Sequence, residues 1–176
     1  MAAKSPKEAA DNFVFFLRET LSCISNHYLS AFQQSGKLYK AYYEPYAKIS
    51  GRDGIVYNLS VTQIFRAVPV PGSKGEFKAQ TQEYSYRLLD ETGNEDEFFA
   101  YHWHPHDPGV RYPHLHIKTA HRIHFPTSRV CLEDVILLLI RDYRIRPRLP
   151  HAEWREILSR NKKAFEKMAS WKIHHG

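Results

Sequence analysis

Residues 101–129 read YHWHPHDPGVRYPHLHIKTAHRIHFPTSR and hold seven of the chain's eleven histidines. Two pairs have the form His-x-His, at His102/His104 and His114/His116. In a β-strand, side chains i and i+2 point to one face, about 6.5–7 Å apart along the strand. Phe99, Tyr101 and Trp103 interleave with the first pair, and Leu115 and Ile117 with the second. Each segment therefore reads as a strand with an apolar face and an imidazole face. If the segments are neighbours across the 106–113 loop, their apolar faces share a core and four imidazoles gather on the other side. This strand pattern decides the fold, and it concentrates reactive side chains as no other stretch does.

The rest of the chain frames that sheet. Ser5-Pro6-Lys7-Glu8 is a helix start: Ser5 caps, Pro6 suits the first position, and Glu8 completes a capping box. Phe13, Phe16/Leu17, Leu21, Ile24, Tyr28 and Phe32 recur at the three-to-four spacing of one buried face, and Gly36 is a stop. The expectation is a helix over about residues 6–34. Residues 37–50 are aromatic but broken by Pro45, and residues 50–54 form a turn. Strands are expected from residue 55 to about 66, over 77–89, over 98–104 and over 114–119, joined by a loop at 68–75 and an acidic turn at 91–96. Residues 131–140 read as a helix with Glu133 and Asp134 acidic in its first turn. An arginine-rich connection over 141–150 leads to a last helix from about 152 to 171. Consecutive strands with short connections, flanked by helices, predict an α+β fold. Its antiparallel meander sheet of four or more strands is covered by one N-terminal and two C-terminal helices.

With 176 residues, 43% hydrophobic and 25% charged, the chain reads as one globular domain spanning 1–176. The N-terminus shows no signal-peptide pattern, and the most apolar run, residues 135–140, is too short to span a bilayer. Cys23 and Cys131 fall in predicted helices, so no disulfide framework is encoded. A cytoplasmic location and no membrane partner are the expectations. The net charge of +6 is uneven: residues 141–176 hold 10 Lys+Arg against 4 Asp+Glu, and the preceding 140 residues balance. Such a basic segment suits a polyanion, and it suits equally a solvated helix that aids solubility.

Three uses of the histidines stay open. In the first, His102, His104, His114 and His116 ligate zinc or another divalent transition metal such as manganese or nickel, with Asp107 a further candidate. HWHPHD approaches the His-x-His-x-Asp-His pattern of metallo-β-lactamase-like hydrolases with its last two residues reversed. HLHIKT starts like a histidine-triad motif but has Lys118 at the third histidine. In the second, no cofactor is needed: histidines move the protons of RNA cleavage while arginines hold the phosphate. Its catalytic set is His102, His104, His114, His116, Arg111 and Arg129, with Lys118 and Arg122 nearby. Arg141, Arg144, Arg146 and Arg148 would contact the nucleic acid. In the third, the imidazoles are structural and the protein is a partner-binding module.

The order Tyr101-His102-x-His104-Pro105, Pro113-His114-Leu115-His116-Ile117 and His124-x-Pro126-Thr127-x-Arg129, followed by Leu132-Glu133-Asp134-Val135, resembles a His-rich bacterial family similar to the TumE-like toxins of toxin–antitoxin pairs. The likeness covers roughly residues 80–160. It implies a toxin-like ribonuclease neutralised by a cognate antitoxin, with His102, His104, His114, His116 and Arg129 at the matching positions. The long first helix and the basic last helix are departures from the short toxins. An RNA-directed, metal-independent protein is thus the leading expectation, and a metal-binding hydrolase or sensor the alternative.

Overall fold

The computed structural model describes residues 3–92, 97–118 and 123–168. Part of the acidic turn (residues 93–96), the end of the strand expected to reach Thr119, His121, Arg122 and Trp171 lie outside the described residues. The architecture is α+β, with an antiparallel meander, an N-terminal helix and two C-terminal helices packed against the sheet.

Helix α1 (Pro6–Ser22) starts as expected: Ser5 Oγ accepts from the Glu8 amide at 3.1 Å, and the Glu8 carboxylate accepts from the Lys4 amide at 2.8 Å. It does not run to residue 34. It stops at Ser22, and residues 30–35 instead form strand β1 (Ser30–Ser35), paired with β2 (Leu38–Tyr42). Gly36, with φ +50°, is the hairpin turn between them, a conformation in which a two-residue connection matches strand twist. Carbonyls just beyond the helix find partners far along the chain. The Arg148 amide donates to Cys23 O at 2.8 Å, and its guanidinium lies 3.3 Å from Ser25 O. A distant residue thus satisfies carbonyls that a continuing helix would have used.

The sheet continues through β3 (Ala47–Ser50), β4 (Val56–Pro69), β5 (Phe77–Leu89), β6 (Glu97–Trp103), β7 (His114–Ile117) and β8 (Phe125–Pro126). Its order is β1-β2-β4-β5-β6-β7-β8, and β3 pairs with β4 beside β2. The long strand β4 shares one edge between β2 (at residues 62–66) and β3 (at 56–59), while β5 follows its other edge. Helices α1, α2 (Leu132–Arg141) and α3 (His151–Met168) supply Val14, Leu17, Leu21, Leu132, Ile136, Leu139, Trp154 and Leu158 to the core. The sheet answers with Leu59, Val61, Tyr84, Tyr86, Leu88, Phe99 and Trp103. Register puts these sheet residues on one face: Tyr84 lies opposite Trp103, Tyr86 opposite Tyr101 and Leu88 opposite Phe99. Among the described residues, no helix is long and apolar enough to cross a membrane.

The helix layer also buries polar groups, several of which pair with one another. Tyr86 OH donates to Gln63 Oε1 at 2.9 Å, and Gln63 Nε2 to Thr81 Oγ1 at 3.0 Å. Glu133 of α2, 6% exposed, accepts from Thr20 Oγ1 at 2.9 Å. Burial raises the Glu133 pKa, and neighbouring Asp134 pushes it the same way. A carboxyl whose pKa is raised by folding binds protons more tightly in the native state, so its contribution to stability declines as pH rises through its unfolded value. Glu133→Gln removes that contribution. Denaturant unfolding of both proteins from pH 4 to 8 should show the difference moving steadily in favour of the glutamine variant; parallel curves would show that Glu133 is not buried as a coupled acid.

Candidate metal centre

Antiparallel pairing of β6 with β7 sets His102 opposite His114 and Ala100 opposite His116. Pairing of β7 with β8 sets His114 opposite Pro126 and Leu115 opposite Phe125, so the next step of that register brings His124 opposite His116. Phe99, Tyr101 and Trp103 face the helices, and strand alternation sends His102, His114 and His116 to the other side. His104 follows directly after β6 and turns to the same side, its Nε2 lying 3.2 Å from His102 Nδ1. The expected gathering of both His-x-His pairs on one face is therefore present.

Within this array, His114, His116 and His124 form the tightest group. Each offers one ligand atom, and these atoms all lie within 4.8 Å of one another. Ring centroids are 5.0 Å apart for His114/His116, 4.9 Å for His114/His124 and 4.5 Å for His116/His124. A tetrahedral ion with metal–nitrogen bonds of about 2.0–2.1 Å needs nitrogens about 3.3 Å apart, which small ring rotations supply. The cluster can coordinate a metal ion. This corrects the expectation that the protein uses no cofactor; His124 joins His114 and His116 in the group, and His102 and His104 stand beside it.

His114 is 5% exposed, and its Nδ1 lies 2.9 Å from Tyr112 O. A carbonyl only accepts, so Nδ1 carries the proton and Nε2 presents its lone pair. Backbone carbonyls commonly orient ligating histidines in this way. Burial first, then the imidazoles of His116, His124 and His104, lower the His114 pKa, while its bond to Tyr112 works against them. His102 is pushed down to about 3 by burial first, then by His104, His116, His114 and the Arg87 guanidinium. Neutral imidazoles are the form a cation requires. On the far side of His104, Nδ1 lies 3.6 Å from Glu83 Oε2.

The other residues singled out in the sequence are dispersed. Arg111 is exposed in the loop between β6 and β7, where Asp107 Oδ1 accepts from the Gly109 amide at 2.7 Å and shapes a turn rather than joining the cluster. Arg129 lies over the Trp103 ring, 3.5 Å from its centroid, and Trp103 belongs to the helix-covered face. Arg141 pairs with Asp142 at 2.9 Å. The Arg144 carbonyl accepts from the Arg52 amide and the Arg146 amide donates to Ser50 O, so this connection is fastened to the end of β3. Lys118 lies over the Phe98 ring.

His124 escaped the reading of spacing because it belongs to neither His-x-His pair. Its sequence signals are its place in the His124-x-Pro126 motif and directly before Phe125; the structure adds the cross-strand step opposite His116. Compared with known proteins, the chain matches no family model, no curated protein and no solved structure.

The geometry separates two histidines that spacing alone makes equivalent. His114→Ala leaves the Tyr112 carbonyl without its partner and should cost about 1–3 kcal/mol in urea unfolding of the metal-free protein. His104, whose side chain is 35% exposed, should cost less than about 1 kcal/mol when changed to alanine. Equal losses would mean that His114 is not held as described.

Proposed function

We propose that this protein is a metal-dependent hydrolase whose ion, zinc foremost, is held by His114, His116 and His124. The observation that carries this reading is the convergence of three imidazole ligand atoms within 4.8 Å on the sheet face opposite the helices. Three nitrogen donors leave a tetrahedral ion one open position, which distinguishes hydrolytic centres from closed structural ones. An ion held in this way supplies Lewis acidity at that position. Imidazole donors suit zinc, nickel or copper better than magnesium or calcium, which prefer oxygen. Metal-free RNA cleavage by the same histidines has less support, because the convergence of three ligand atoms is what an ion requires and no such convergence of arginines on the imidazoles is seen among the described contacts.

Zinc(II) titrated into the full chain, followed by competition with a chromophoric chelator, tests the reading. Stoichiometric binding is expected. His116→Ala and His124→Ala should each weaken it by more than the 10–100-fold typical of losing an outer-shell partner. His27→Ala, in the segment after α1, should leave it unchanged. Cobalt(II) should give the intense visible absorption of a four-coordinate ion in the parent and lose it in both variants. No retained zinc, or equal affinity in all four proteins, would overturn the proposal.

A further inference from the structure

His102 and His104 are left beside the three-histidine group, and their arrangement has a geometry of its own. Their facing nitrogens, His102 Nδ1 and His104 Nε2, are 3.2 Å apart. A tetrahedral ion with metal–nitrogen bonds of about 2.0–2.1 Å holds its ligands about 3.3 Å apart, so the separation of the pair matches a chelate once both rings turn from the hydrogen bond toward a common ion. The second nitrogen of His104 faces the Glu83 carboxylate at 3.6 Å. That negative charge favours the proton on His104 Nδ1 and so leaves a lone pair on Nε2, the arrangement of a carboxylate behind a ligating histidine. His104 is thus prepared as a ligand by a residue of β5, two strands away from β7.

We infer that His102 and His104, with Glu83 behind them, hold a second divalent cation next to the one at His114, His116 and His124. The inference rests on the three-histidine reading and extends it to a two-ion centre. The His102 ring centroid is 5.6 Å from that of His114 and 5.2 Å from that of His116, so the two ligand groups adjoin. Binding exchanges the ring–ring hydrogen bond for two metal–nitrogen bonds. It requires only that His102 carry its proton on Nε2, so no net proton is released by the pair. Two ligands leave this ion open to further oxygen donors. Ions about 3.5–4 Å apart clamp both oxygens of a displacement at phosphorus or an acyl carbon. The substrate class that such a pair takes is an anionic ester or anhydride whose oxygens bridge the ions.

Zinc(II) stoichiometry of the full chain, measured by native mass spectrometry and by elemental analysis after dialysis, tests the inference. Two equivalents are expected for the parent and one for His104→Ala. Glu83→Gln should weaken the second equivalent by about 10–100-fold and leave the first unchanged. Inorganic phosphate should tighten the second equivalent in the parent and have no such effect in His104→Ala. Circular dichroism should show both variants folded, since both replace partly exposed side chains. One equivalent in the parent, or two retained in His104→Ala, would overturn the second site while leaving the three-histidine centre standing. No zinc at all would overturn both.

Discussion

The register between β6 and β7 is the constraint on which the site and the core both depend. It sets Tyr101 opposite Leu115 and His102 opposite His114. Because strand side chains alternate, a slip of β7 by one residue would turn His114 and His116 under the helices and bring Leu115 and Ile117 to the other face. Burial of aromatic surface on the helix side therefore determines where the histidines gather. Phe99, 3% exposed, packs against Tyr143 in the connection after α2, and Trp103, 7% exposed, against Tyr84. At roughly 25 cal/mol per Å² of apolar surface, this burial outweighs any attraction among neutral imidazoles.

The two faces of the sheet handle polar groups differently. Under the helices, Tyr86, Gln63 and Thr81 satisfy one another, and Thr20 links Glu133 to Asn161, whose Nδ2 lies 3.2 Å from Thr20 Oγ1. These are closed networks, in which each group has found a partner within the core. On the opposite face, imidazoles crowd against imidazoles, and burial first, then the neighbouring rings, lowers the affinity of His102 and His114 for protons. A divalent cation binds imidazole only in its neutral form, so these surroundings favour the state that a ligand must adopt. Tyr112 O and Glu83, outside the rings themselves, bias which nitrogen of His114 and His104 is presented.

The arginine-rich connection is tied into the fold through its backbone, while the side chains of Arg141, Arg144, Arg146 and Arg148 stay exposed. Arg148 meets carbonyls at the end of α1, and the backbone around Arg144 and Arg146 pairs with the segment that ends β3. Ile145, fully buried, pairs across to Gly51. These contacts hold the two C-terminal helices against the first one. Part of what reads in the sequence as a polyanion-binding stripe is thereby a structural clasp.

What the sequence by itself determined was local and periodic. Alternation over 98–104 and 114–119 named the strands and put four imidazoles on one face, because the two-residue period is a property of extended backbone alone. The Ser5–Glu8 cap was legible for the same reason, being made by neighbours in the chain. Tertiary structure decided the rest. Tyr28 and Phe32 continued the helical spacing, yet residues 30–35 became an edge strand paired with β2, while Arg148, more than a hundred residues away, met carbonyls just beyond the helix end. His124 entered the metal-binding group through a pairing of β7 with β8 that no spacing encodes. Arg129 left the expected site for the Trp103 ring. Spacing specifies which way a side chain points along its own strand; which strand lies beside it is settled only when the whole sheet closes over its core.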